Sequence, residues 1–428
     1  MNATMEPAEE TAIDKGAQTR DAQLRWAQTP LTQRLHVIRE LRRLIAENAE
    51  ALAIVTAEVS ARPIAEKLVS EVLPLADACH WLERGSARVL APRHCGRKGR
   101  PLWMQGVSFT VLRQPFGIVL VIGPGNYPLF LPAVHSLHAL VAGNAVLLKP
   151  APGTREVALL LARLTREAGL DPALLTVLDE SIEAAHDAIA LGVDKVIFTG
   201  SSGNGRDLLS LLAETNTPSV MELSGQDAVL VFADADLDLV VRALRFAARL
   251  NNGETCIAPR RLIVARSVAD DLLARLEAAR VPRLLIERVG SEAAAVDRAN
   301  AGKFALGASI FTRDTVKARA TAARLKTGFV IINDIIVPTA DPRMPFGGVK
   351  ASGFGTTRGD EGLIEMTFPH VVAVRRGRIH AHLDEPSVGD IHLFTAYIRA
   401  AHGRRRLAAI GEFFGSLIEK IKIRKTLS

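Results

Sequence analysis

The sequence is poor in aromatic side chains: of 428 residues, 15 are Phe, 3 Trp and 2 Tyr. Cysteine is scarcer still. There are three, Cys79, Cys95 and Cys256, and no two stand at CxxC spacing. A disulfide framework is excluded and no metal site is implied. No long apolar run is uninterrupted. The most apolar stretch, 116–148, is broken by Gly117, Gly123, Pro124, Gly125, Asn126, Pro128, Pro132 and His135, so no membrane-spanning helix is expected. The N-terminus, with Glu6, Glu9 and Glu10, lacks the basic and apolar regions of a signal peptide. These absences lead to the expectation of a reduced, cytoplasmic protein. Surplus charge is also nearly missing from the body of the chain. The net charge is +7, but residues 399–428 carry eight basic against two acidic side chains, so the rest contributes about +1. A nucleic-acid binder would be more uniformly basic, and no nucleic-acid partner is expected.

What is present is a change of period along the chain. Residues 1–20 are polar and read as frayed. Leu31, Leu35, Ile38, Leu41, Ile45, Leu52 and Val55 fall at three- and four-residue spacing, and a second helix is expected over about 64–91. From Val107 short β-rich runs take over: 107–112, 117–122, 145–149, 175–178, 195–198 and 220–223, with helices between. Further runs follow at 228–232, 261–265, 284–289, 308–311 and 329–333. Buried runs of four to six residues alternating with helices indicate β-α-β units on parallel sheets, an α/β fold.

Several positions carry chemical potential. Cys256 lies in the polar loop Asn252-Gly253-Glu254-Thr255-Cys256, where a thiol can reach a cleft as a nucleophile. Alone it reads first as an incidental small residue in a turn. Glu222 ends an apolar strand, a costly place for a charge unless it is paired or works as a base. Asn126, in Gly123-Pro124-Gly125-Asn126-Tyr127-Pro128, offers an amide donor for an oxyanion, or a turn residue. The turn at Thr199-Gly200-Ser201, running into a helix through Gly205, suits a phosphate but lacks Gly-x-Gly-x-x-Gly spacing. Lys149 at a strand end suits a nucleotide ribose or solvent.

Together these segments resemble the aldehyde dehydrogenase superfamily over roughly 20–375, in the family's order. They are 121–129, 142–150, 198–201, 221–225, 252–256 and the signature Pro345-Phe346-Gly347-Gly348-Val349-Lys350-Ala351-Ser352-Gly353-Phe354-Gly355. The 34-residue interval from Glu222 to Cys256 is also the family's. The resemblance implies a parallel-sheet cofactor domain over 1–224 with an oligomerisation strand at about 103–113, a reduced catalytic domain over 225–360, and a returning oligomerisation strand over 361–378. It implies Cys256 as nucleophile, Glu222 as general base, and Asn126 with the Cys256 backbone N–H as oxyanion donors. Lys149, Gly200, Ser201, Gly205 and Leu223 are then expected around NAD or NADP, and Phe346 and Tyr127 at the aldehyde. A homodimer or homotetramer is expected, with hydrolysis to an acid, acylation of CoA or loss of turnover as the possible fates of the chemistry.

Three departures stand against the pattern. The chain after Arg280 is too short, as if a large part of the catalytic domain were absent. The best register there puts Ala278 where the family places a ribose-binding Glu, with Glu277 one residue away. Pro152 replaces a Glu common in NAD-preferring members, and Gly125 a common Trp. Beyond the match, 379–428 reads as a tail. In it Leu407, Ile410, Phe414, Leu417 and Ile421 form one face of a basic amphipathic helix, suited to packing on the protein or to membrane-surface contact by 400–428.

Overall fold

The computed structural model describes residues 12–427 apart from 283, 378–380, 384, 389 and 405. The expectation of fraying over 1–20 lies outside these residues as far as residue 11. From Ala12 the chain is helical to Gln28. Tertiary bonds hold this helix: Arg20 pairs with Asp194, Gln23 Nε2 donates to Gly143 O at 3.1 Å, and Trp26 Nε1 to Leu140 O at 2.8 Å.

The chain divides into two compact units. The first comprises residues up to Cys95 and Thr110–Val372. Its two larger sheets are each covered by apolar clusters of their own. The cofactor-type sheet has the order Gly353–Phe354, Ser219–Glu222, Lys195–Thr199, Ile118–Ile122, Ala145–Lys149, Leu175–Val177. Its five longer-range strands are parallel, and Gly353–Phe354 adds antiparallel, Gly353 facing Glu222. All five residues of Ile118–Ile122 are buried, as an interior parallel strand covered on both faces requires. The second sheet is wholly parallel: Leu285–Val289, Pro259–Ala265, Asp227–Val231, Gly307–Phe311, Phe329–Ile332.

In the first sheet the chain leaves Ile118–Ile122, adds two strands on one side, and returns to add Lys195–Thr199 on the other. This reversal is a topological switch point. Loops diverge there at the carboxyl ends of the strands, and α/β sheets bind ligands in the resulting crevice.

The second unit comprises Gly96–Phe109 and Ala373–Ser428. The expected tail helix runs from Arg406 to Leu427, and a second helix, Asp390–His402, precedes it. They form an antiparallel hairpin. Tyr397 and Phe413 rings are 5.7 Å apart, Arg399 lies 3.8 Å from Glu412, and Lys420 pairs with Asp390. Leu407, Ile410 and Phe414 of the expected stripe face solvent, so the hairpin contact uses a different face. Among the described residues no helix is long and apolar enough to cross a membrane.

One buried ion pair fixes the floor of the site. The helical segment that begins at Ile64 passes through a π-turn over Leu68–Val72 and continues to Val89. Lys67 and Glu71, on successive turns, are fully buried, with Nζ 2.9 Å from Oε1. Glu71 Oε2 accepts the backbone N–H groups of Leu129 (2.8 Å) and Phe130 (3.1 Å), where the helix Phe130–Ala142 starts and its dipole favours an anion. Lys67 Nζ also donates to Asn251 Oδ1 at 3.3 Å, in the loop leading to Cys256. Lys67→Met would strand the Glu71 carboxylate in the core. We expect it to lower stability by about 3–5 kcal/mol in chemical denaturation. Adding Glu71→Gln should recover part of that loss; an unaffected single variant would contradict the assignment.

Candidate active site

The switch-point strands deliver Asn126, Lys149, Gly200, Ser201 and Glu222 to one end of the first sheet, because each follows or ends a parallel strand. The nucleophile loop meets them there. After the helix Leu237–Arg249, Asn251 and Asn252 both adopt left-handed φ (49° and 53°), which Asn tolerates better than most residues. Asn251 Nδ2 donates to Asn126 O at 2.8 Å, and Asn126 Nδ2 donates to Glu254 O at 2.8 Å. Tyr127 Oη and Thr255 Oγ1 are 2.7 Å apart. Arg62 also ties the loop down, bonding Asn252 Oδ1 and Arg249 O. Asn126 and Tyr127 are thus joined to the residues flanking Cys256. One amide hydrogen of Asn126 is spent on Glu254, and the second is its remaining donor.

Cys256 lines a cavity of about 290 Å³ together with Tyr127 and Phe346. Burial pushes its thiol up to about 12. The Glu222 and Asp227 carboxylates add to the rise, and Arg358 opposes it. The backbone at Gly225 runs so close that a Cβ there would lie 2.6 Å from Cys256 O. By contrast Cys79 is a core residue whose thiol burial also pushes up to about 12.

Glu222 is buried and held on both oxygens, Oε2 by Thr199 Oγ1 at 3.2 Å and Oε1 by Thr357 Oγ1. His135 Nε2 lies 3.9 Å from Oε1. Burial raises the Glu222 carboxyl above its ordinary value; Arg358 and the two hydroxyls pull it back. Burial and Arg358 drive His135 down to about 3, so it is neutral at pH 7. The signature segment builds this enclosure. Gly353–Phe354 pairs with Met221–Glu222, Ser352 Oγ donates to Ser224 O, and Phe346 exchanges two 2.7 Å backbone bonds with Thr357.

Sequence reasoning missed Thr199, Thr357, His135, Asp227 and Arg358. Arg358 is the most consequential. It is 5% exposed and adopts φ 59° with ψ 169°, a region costly for any residue but glycine. Its guanidinium stacks over Phe346 at 4.2 Å, and its Nη1 donates to Thr339 O. Nothing in the motif marked it, since an Arg before Gly-Asp-Glu reads as a surface residue.

The expected cofactor residues take distinct parts. Ser201 caps the helix Ser202–Thr215, accepting from Asn204 N at 3.2 Å. Lys149 is buried at its strand end, where burial lowers its pKa and Glu180, Asp179 and Glu183 oppose that fall. Gly205 packs under Leu223: a Cβ would lie 2.5 Å from Leu223 Cδ2, so that side chain would have to shift. Leu223 is buried and its N–H bonds Ser352 O at 3.0 Å. A Cβ at Gly203 would meet nothing closer than Ser201 Oγ at 3.8 Å, so the helix start is open to a phosphate. An open, capped helix N-terminus beside an amine at the switch point fits a dinucleotide.

Glu277 and Ala278 are exposed on the last turn of the helix Arg266–Ala278, and neither lines the Cys256 cavity.

Comparison with known proteins agrees with this geometry. The model described as "Aldehyde dehydrogenase family" matches residues 2–283 and 281–372. The match breaks where the sequence is too short, and the chain passes directly from that helix into the strand Leu285–Val289. The 4,4'-diapolycopene aldehyde oxidase of a Methylomonas species is 27% identical, over 84% of this chain and 81% of its own. A Mycobacterium ulcerans protein, provisionally named an NADP(+) succinate-semialdehyde dehydrogenase, is 29% identical over 84% of this chain and 83% of its own. Their alignments span 431 and 440 positions, more than this chain has residues, as a deletion requires. A solved NAD-dependent aldehyde dehydrogenase from Sinorhizobium meliloti superposes with a TM-score of 0.80 at 26% identity, covering 87% of this chain and 89% of that one. Its catalytic-type geometry, ordered motifs and matched length together make this chain a member of the aldehyde dehydrogenase family, and an oxidoreductase of aldehydes.

Proposed function

We propose that the protein oxidises an aldehyde to a carboxylic acid with NAD or NADP, through a thioester on Cys256. The observation that carries this reading is the placement of Cys256 on a cavity wall, with Glu222 held behind it as a buried carboxylate of raised pKa. Lys149 would hold the cofactor ribose and the Ser201-capped helix its phosphates. The bound cofactor supplies the hydride acceptor.

A thiol pushed up to about 12 is almost wholly protonated at pH 7, so attack draws on its small thiolate fraction, the proton passing to solvent. The sulfur bonds the aldehyde carbon. The free Asn126 amide hydrogen and the Cys256 backbone N–H face the developing oxyanion. After hydride loss the carbon is a thioester. Glu222 takes a proton from water, the hydroxide oxygen bonds the acyl carbon, the C–S bond breaks as that proton passes from Glu222 to the leaving sulfur, and acid leaves. Cys256→Ser should reduce turnover by at least about 1,000-fold. Glu222→Gln should preserve a single-turnover burst of reduced cofactor but slow steady turnover by about 100- to 10,000-fold. The wild-type rate should fall as pH drops through the raised Glu222 value. An active Cys256→Ser protein, or acyl-CoA in place of free acid, would overturn the mechanism.

Two further associations belong to this reading. The edge strand Thr367–Arg375 exposes Val371, Val372 and Val374, which favours a homodimer or homotetramer through that edge, measurable by light scattering. The C-terminal hairpin exposes Phe394, Ile398, Leu407, Ile410 and Phe414 amid a basic surplus, which favours an anionic lipid surface as its partner. The full chain should sediment with vesicles containing phosphatidylserine and not with neutral ones. Equal partitioning would remove the lipid assignment.

A further inference from the structure

The wall of the Cys256 cavity is almost entirely carbon. Val69, Phe130, Leu131, Phe246, Ile336 and Val337 line it with Tyr127 and Phe346. Its mouth is apolar too: Val69 and Val337 are more than half exposed there. The hydroxyls of Tyr127, Thr255 and Thr339 on the wall are engaged within the protein. Tyr127 Oη and Thr255 Oγ1 share a hydrogen, and Thr339 Oγ1 donates to Ile336 O at 2.7 Å.

Arg358 is the one charged group on the wall, and at first sight it looks like a clamp for a carboxylate-bearing substrate. The surroundings argue otherwise. Its Nη1 is on Thr339 O, and its Nε, though it has no hydrogen-bond partner among the described residues, is buried away from solvent. Its flat face covers the Phe346 ring at 4.2 Å, and Phe130 lies 5.8 Å away. Glu222 already opposes its charge. A second carboxylate brought into this cavity would lose its hydration and compete with Glu222 for one cation.

We propose that this cavity selects uncharged aldehydes with an apolar hydrocarbon body over short or carboxylate-bearing ones. The proposal rests on the reading of Cys256 as the reacting group and concerns what surrounds it. The reacting carbon sits at the sulfur, and the hydrocarbon chain lies along Phe130, Phe246 and Ile336 toward the mouth at Val69 and Val337. Each methylene that reaches this wall leaves water for carbon, which favours binding by about 4-fold, equivalent to about 0.8 kcal/mol.

The test is a chain-length series on the full protein with NAD and with NADP. From propanal to octanal, kcat/KM should climb by about 4-fold per methylene until the cavity is filled. The ω-carboxy aldehyde of equal carbon number should fall at least about 100-fold below its alkanal. A flat series, or a carboxy-aldehyde that matches the alkanal, would overturn the proposal. Val337→Glu should flatten the series by placing a charge at the mouth. The same question is answered without turnover by calorimetric binding of unreactive primary alkanols. Their Kd should fall about 4-fold per methylene, and a Kd independent of length would overturn the proposal whatever the chemistry. If alkanols bind by length but no aldehyde is oxidised, the substrate surface stands and the proposed reaction fails.

Discussion

The site depends on the cost of burying charge. Glu222, Asp227, Glu71, Lys67 and Arg358 all lie under 10% exposed around one loop, and each needs an answer within the protein. Lys67 answers Glu71, which in turn accepts two amides at the start of the helix Phe130–Ala142. Asp227 accepts the Gly307 N–H at 3.0 Å. Glu222 and Arg358 act on each other's charge without forming an ion pair, and Glu222 is held by two hydroxyls instead. That residual imbalance is where chemistry is expected. A carboxylate that burial raises and an arginine partly opposes is a base suited to activating water, near the Cys256 thiol.

The shortened catalytic domain is compatible with this arrangement because of where the loss falls. The parallel strand Leu285–Val289 still pairs residue by residue with Arg261–Ala265, so the second sheet closes without the missing piece. Glu222, Thr199 and Asn126 are positioned by the first sheet and the loops that leave its strands. What is lost is the region that carries the family's ribose-binding carboxylate. In the proposed reading, cofactor holding then falls to Lys149 and the Ser201-capped helix start.

Much of this was legible in the sequence, for identifiable reasons. Parallel strands buried on both faces, such as Ile118–Ile122, advertise themselves as short apolar runs. Cys256, Glu222 and Asn126 stand in local motifs of fixed spacing. Arg358, Thr357 and His135 were not legible, since their roles arise from long-range pairing: Gly353–Phe354 folds back onto Met221–Glu222 and carries Thr357 to the carboxylate. At Glu277 and Ala278 the register is not legible, because a deletion erases the spacing that gives a motif its meaning. The helix Asp390–His402 was missed because its apolar residues serve a partner helix rather than the main core.

The most direct measurement is intact-protein mass spectrometry of Glu222→Gln incubated with oxidised cofactor and octanal, followed by peptide mapping. The account predicts one adduct per subunit, equal in mass to the aldehyde less two hydrogen atoms, on the peptide containing Cys256. Unmodified protein, or an adduct on Cys79 or Cys95, would contradict it.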